Sequence, residues 1–193
     1  MSYPLGQRDK HYTYEDYMQL PQDTRCEVIE GILYMTPSPS IQHQRTAGKL
    51  YNLIANYIKA TNNTCEVFIS PLDVLLPENN QDVNHANTIV QPDIFVVCDS
   101  SIITEKFCTG SPDLIIEIVS PSSPSRDYVK KLHLYEKHMV KEYWIVNYIR
   151  KEILVYRLME NDEYGEAIVF KDNEQAKVET LGELYISLNS IFD

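Results

Sequence analysis

The chain has 193 residues, 17 Lys plus Arg against 28 Asp plus Glu, and 44% hydrophobic side chains. These figures predict one compact domain over residues 1–193 and exclude collagen-like and low-complexity disordered chains. The net charge of −11 speaks against broad non-specific binding to nucleic acid, because affinity for phosphate comes from cations.

In chain order, Thr13 with Asp16 three positions on forms a capping box for a short helix that Pro21 closes. CEVIE, Gly31 and ILYM alternate as two strands around a Glu30-Gly31 turn, an accessory hairpin over residues 26–35. From Ser40 the period changes. Ala47, Leu50, Tyr51, Ile54, Tyr57 and Ile58 recur at helical spacing and predict a helix of about five turns.

After the Asn62-Asn63 break come CEVFIS and DVLL, then a polar loop from Pro77 to Asn87, then the strand region TIVQPDIFVVCD. PDLIIEIVSP, nearly continuous in apolar character, predicts a central strand covered on both faces. The SPSSPS turn offers N-caps for a helix from Asp127 to His138 with Val129, Leu132, Tyr135 and Met139 on its buried side. EYWIVN is the next strand, and EILVYRL and EAIVF open a set of C-terminal strands over residues 152–187. The expected class is α/β, with a core over residues 41–147 in the order helix, three strand regions, helix, strand.

No apolar run reaches the roughly 18 residues a spanning helix needs, and MSYPLGQRDKHY is too polar for a signal peptide. A cytoplasmic location without a membrane partner is expected. Cys26, Cys65, Cys98 and Cys108 show no CxxC spacing and are expected as core or reduced surface thiols. Charge is uneven: residues 120–151 carry 7 basic and 3 acidic side chains, whereas residues 1–119 carry 7 and 15 and residues 152–193 carry 3 and 10. The basic stretch reads as a lysine-rich amphipathic helix in water or as a face toward an acidic site. The acidic C-terminal segment reads as a solvated strand face or a dimer edge.

Glu117 carries the chemical argument. Asp113, Ile115, Glu117 and Val119 share one strand face, and Leu114, Ile116 and Ile118 share the other. A carboxylate buried among these neighbours without a partner costs several kcal/mol, so it must be protonated, ion-paired or bound to a metal. Asp93, after Pro92, opens a neighbouring strand and could bring a second carboxylate to the same point. Two carboxylates plus waters suit an octahedral Mg²⁺. The following helix folds back beside this strand, and Lys131 shares its side with Asp127 and Tyr135, so an ammonium could reach a metal-bound water or a phosphate. An ordinary Asp127–Lys131 pair at i, i+4 is the plain alternative. Ser122 and Ser123 of the turn, with Lys130, are expected phosphate contacts.

A Pro-Asp, a strand carrying Glu and a displaced Lys on this element order resemble the PD-(D/E)XK restriction-endonuclease-like superfamily. More closely, the chain resembles the Uma-two family of endonucleases. The stretches are CEVIEG with Glu27, SPSIQH with His43, VQPDIFVV with Asp93, PDLIIEIVSPSS with Glu117, DYVKK with Asp127 and Lys131, and VKEYWIV with Tyr143 and Trp144.

The resemblance implies a restriction-endonuclease-like core, DNA as substrate, and Mg²⁺ or Mn²⁺ held by Asp93 and Glu117. Lys131 would orient or activate the attacking water. Val119 stands where the usual E-x-K lysine would be, so the lysine must come from the following helix. Glu27 and His43 match family positions, with roles as a further metal ligand and a phosphate or water contact. A homodimer would gather the basic surfaces of an otherwise acidic chain.

Two other readings compete: a catalytically silent module that keeps this fold to bind nucleic acid or protein, and a glycosidase pairing Asp93 with Glu117. Asp113, four residues from Glu117, is expected as a strand-end cap about 13 Å away. His133 and His138 are five apart and do not share a helix face, and Trp144 is expected in the core.

Overall fold

The structure, a computed structural model, describes residues 10–21, 23–78, 81–119 and 129–192. The SPSSPS turn with Ser122 and Ser123, and Asp127, lie outside them.

Helix α1 (Tyr14–Tyr17) opens on the expected box: the Thr13 side chain accepts from the Asp16 N–H, and the Asp16 carboxylate accepts from the Thr13 N–H. Strands β1 (Cys26–Ile29) and β2 (Ile32–Met35) pair antiparallel in the hairpin. The turn demands its glycine. Gly31 has φ +78°, and a Cβ there would stand 1.9 Å from the His11 ring. Gly31→Ala is therefore expected to cost about 1–3 kcal/mol. Thermal melts check this, and a melting temperature equal to wild type would contradict it.

Helix α2 (Ile41–Thr61) is opened by the Ser40 side chain, which accepts from the His43 N–H at 3.1 Å, and closed by Asn62 in the left-handed region. After it come β3 (Glu66–Ile69), β4 (Val74–Leu75), β5 (Ile89–Val90), β6 (Ile94–Val97), β7 (Cys108–Thr109) and β8 (Leu114–Ile118). The chain continues as α3 (Lys131–Lys137), β9 (Glu142–Asn147), β10 (Glu152–Arg157) and β11 (Ile168–Lys171). It closes with β12 (Gln175–Val178), β13 (Leu184–Ser187) and α4 (Leu188–Phe192).

A six-stranded sheet runs β11-β10-β9-β8-β6-β3, in which only the β8–β9 pair is parallel. A five-stranded sheet runs β2-β1-β5-β4-β7, and β12-β13 forms a separate pair. The order α2, β3, β6, β8, α3, β9 is the expected helix, three strands, helix, strand.

The second sheet was not anticipated. TIVQPDIFVVCD reads as one strand region with a strand opening at Asp93, and Gln91-Pro92-Asp93 divides it into β5 and β6, which pair in different sheets. Proline removes a ladder donor, which ends the first pairing and lets the chain cross over. CEVFIS and DVLL divide in the same way into β3 and β4.

One core packs α2, α4 and the β12-β13 pair on the face of the large sheet that bears Leu114, Ile116 and Ile118. The other core joins Phe95, Ile115, Val119, Tyr143 and Ile145 to Leu134 and Tyr135 of α3 and to Ile29, Val74 and Val90 of the small sheet. Trp144 is fully buried, as expected.

Three expectations are corrected. Within the described part of residues 127–138, regular α-helix is confined to Lys131–Lys137, and Lys130 in its cap position makes no side-chain cap. Val129 and Met139 are exposed rather than buried, because both lie beyond the regular helix and Met139 adopts φ +61°. Cys65 and Cys98 are joined in a disulfide, because pairing of β3 with β6 brings the ends of those strands together. Cys26 and Cys108 are buried free thiols, and burial pushes them up to about 11 and about 12.

Candidate active site

Strand β8 has neighbours on both edges, so Glu117 has no route to solvent along the sheet and is 5% exposed. The register that pairs Ile94 with Ile116 sets Asp93 opposite Glu117 one step further on. Opposed residues of an antiparallel pair point to the same face with Cβ atoms about 5 Å apart. Glu117 projects toward α3 and the small sheet, and Asp93 stands just before β6 at the end of that strand pair. The Ile118 N–H donates to Asp93 Oδ2 at 2.8 Å, fixing that carboxylate at the end of the strand pair.

Lys131 enters from the first residue of α3 and is 3% exposed. Its Nζ donates to Glu117 Oε1 at 2.6 Å and to Glu27 Oε1 at 2.9 Å. Tyr135, one helical turn on, donates its hydroxyl to the same Glu117 oxygen at 2.8 Å. Burial first, and then the charges of Glu117 and Glu27, hold the Tyr135 phenol well above its ordinary range, so it remains a neutral donor.

Glu27 comes from β1 of the small sheet, which explains why that sheet packs here. It is 2% exposed, and its Oε1 also accepts from the Gln91 N–H at 3.0 Å. Its Oε2 is buried without a hydrogen-bond partner among the described residues. The Gln91 side chain and the Tyr17 hydroxyl in turn hold Asp73 behind the site.

His43, in the first turn of α2, places Nε2 3.1 Å from Asp93 Oδ2. Ser40, which caps that helix, lies 3.2 Å from the Tyr148 hydroxyl at the end of β9. Lys130 stands at the exposed side, with Nζ 2.7 Å from the Tyr34 hydroxyl and 4.5 Å from its ring centre.

Of the residues singled out in the sequence, Glu117, Lys131 and Glu27 are in direct contact, and Asp93, on the strand beside Glu117, pairs with His43 of α2. Asp113 lies apart and accepts from the Cys98 N–H and from Lys141, an anchor at the strand end. His133 is exposed, with its closest acid Glu136 at 3.9 Å.

Tyr135 was expected only as a core side chain. Its spacing of four from Lys131 already put both on one helical face, which is the signal that could have found it. Glu142 carried no such signal, since a polar residue opening a strand reads as an edge. It is 1% exposed and accepts from the Trp144 indole at 2.9 Å and from the Thr180 N–H at 2.9 Å, a structural role.

Among the described residues no three His, Cys, Asp or Glu side chains form a ready metal cluster. Among the described residues the site offers hard oxygen donors from Asp93, Glu117 and the buried Glu27 Oε2, with the Lys131 ammonium between Glu117 and Glu27. That donor chemistry fits Mg²⁺ or Mn²⁺, which take one or two carboxylates and fill the remaining positions with water and substrate.

A profile of the Uma2 family, described as "putative restriction endonuclease", matches residues 14–189. An uncharacterized protein, slr1290, of Synechocystis sp. is 26% identical over 172 residues, covering 87% of this chain and 85% of its own length. A crystal structure described as a putative nuclease belonging to DUF820, from Anabaena variabilis, superposes with a TM-score of 0.75 at 23% identity and covers 94% of this chain and 97% of that one. No helix among the described residues is long and apolar enough to cross a membrane. With the restriction-endonuclease-like element order and a family match that covers most of its length, the chain belongs to the Uma2 family of restriction-endonuclease-like nucleases.

Proposed function

We propose that the chain is a Mg²⁺- or Mn²⁺-dependent endonuclease that hydrolyses phosphodiester bonds of DNA. Asp93 and Glu117 would hold the metal, and Lys131 serves the attacking water. The observation that carries this reading is Lys131 itself, a buried lysine shared by two buried acids with a third acid on the next strand. Gathering buried carboxylates at one point is expensive. A divalent cation held by Asp93 and Glu117 would offset that cost.

When bound, the metal supplies charge neutralisation at the scissile phosphate and acidifies a coordinated water. The residues of the chain do the rest. Lys131 donates a hydrogen bond that orients the water for in-line attack, while Glu27 and Glu117 keep the ammonium aligned. Tyr135 fixes the rotamer of Glu117, and His43 with the Ile118 N–H fixes that of Asp93. Lys130, with Ser122 and Ser123 of the preceding segment, would meet the substrate backbone. A homodimer would double the basic surface available to DNA.

One observation favours the non-catalytic reading: Lys131 already bonds both Glu27 and Glu117, with no three-donor cluster beside them among the described residues. A silent binding module would keep that arrangement and gain nothing from metal. Cleavage of plasmid DNA separates the two. Nicking is expected with millimolar Mg²⁺ or Mn²⁺, to cease with EDTA, and to cease in Asp93→Asn. Equal nicking by Asp93→Asn and wild type, or intact DNA under every condition, would reject the nuclease assignment.

A further inference from the structure

At the exposed side of the acid cluster stands a lysine with an uncommon partner. Lys130 is exposed and Lys131 is buried, because consecutive residues of a helical turn point about 100° apart. Lys10, Lys137, Lys141, Lys171 and Lys177 each meet a carboxylate, whereas Lys49, Lys59 and Lys106 meet none among the described residues. Lys130 has no carboxylate within 4.0 Å among the described residues, in a chain with 28 acids against 17 bases. A tyrosine holds it instead: the ammonium donates to the Tyr34 hydroxyl at 2.7 Å and lies 4.5 Å from the ring centre.

Tyr34 is not a chance neighbour. It sits opposite Glu27 in the β1–β2 register, so the strand pair that sends Glu27 to Lys131 also sends Tyr34 to Lys130. Its ring is half-buried against the core under α3, which makes it a fixed platform. A phenol and a ring face hold an ammonium without cancelling its charge, unlike a carboxylate. Holding a flexible lysine in place before binding also reduces the ordering cost when a ligand arrives.

We propose that Tyr34 is a positioning residue that presents Lys130 as a clamp for a non-scissile phosphate of the nucleic-acid strand whose reacting phosphate lies at Asp93, Glu117 and Lys131. This rests on the nuclease reading for the identity of the strand, but its test reads binding alone. The clamp recognises backbone, not base, so it contributes affinity and register without sequence preference.

The experiment is fluorescence anisotropy of a labelled DNA duplex in EDTA, where no cleavage occurs, across a series of NaCl concentrations. Lys130→Gln is expected to weaken binding about fivefold and to lower the log–log salt slope by about 0.9, the signature of one lost phosphate contact. Tyr34→Leu should weaken wild type about threefold yet change nothing in the Lys130→Gln background, because it acts only through that lysine. Tyr34→Phe, which keeps the ring, should fall between Tyr34→Leu and wild type. A wild-type slope in Lys130→Gln, or an equal effect of Tyr34→Leu in both backgrounds, overturns the clamp and leaves the nuclease reading standing. Failure of wild type to bind the duplex at low salt overturns both.

Discussion

Lys131→Ala is expected to lower the unfolding free energy by about 3–5 kcal/mol, the usual cost of stranding a buried charge. The substitution leaves Glu27 and Glu117, 2% and 5% exposed, facing one another without the ammonium between them. Against a total stability of about 5–15 kcal/mol for a typical domain, the loss brings the variant close to unfolding. Glu27→Gln in the same chain should recover part of it, because one of the two stranded charges is then gone, and the two changes are strongly non-additive. Millimolar Mg²⁺ should recover part as well, since a cation that binds only the folded state stabilises it. Urea unfolding at low temperature measures all four combinations. A loss under about 1 kcal/mol, insensitive to Glu27→Gln, would mean that the three side chains are solvated and the site is not the closed cluster described.

Glu117→Gln should separate chemistry from stability. Glutamine keeps the shape of the side chain and an oxygen to accept from the Tyr135 hydroxyl, and Lys131 retains Glu27 at 2.9 Å. The fold is therefore expected to persist with a stability change of about 1–2 kcal/mol. Cleavage should fall on the order of a thousandfold, because a neutral amide is a poor ligand for Mg²⁺ and several kcal/mol of transition-state stabilisation goes with it. Circular dichroism and a single-turnover cleavage assay on the same preparation check both halves. A folded Glu117→Gln protein that cuts at the wild-type rate would remove this residue from the chemistry.

Much of the site was legible in the residues themselves. An acid among the apolar residues of LIIEI on a central strand needs a partner, and that constraint points to Asp93 and Lys131. The long helix was equally legible, with apolar residues at helical spacing, Ser40 at its start and Asn62 at its end.

The rest depended on tertiary pairing. Gln91-Pro92-Asp93 looks like an interruption within one strand, and only the partners of β5 and β6 show that it is a crossing between sheets. The disulfide spans 33 residues and has no local signal. Val129 and Met139 follow the helical period, but the regular helix stops short of both, so the period does not bury them. The Tyr135 hydroxyl was hidden by its ring, which satisfies an apolar position while its polar end reaches Glu117. Glu27 sits in a strand buried on both faces, so the reasoning applied to Glu117 would have found its pairing with Lys131 had the small sheet been foreseen.

A divalent cation joining Asp93 and Glu117 is the centre of the proposed chemistry, and direct binding of Mn²⁺, followed by the electron paramagnetic resonance of the free ion, tests it. One site per chain is expected for wild type and for His133→Ala, an exposed control, and none for Asp93→Asn or Glu117→Gln. No bound Mn²⁺ in the wild-type protein, or equal binding in all four, would contradict it.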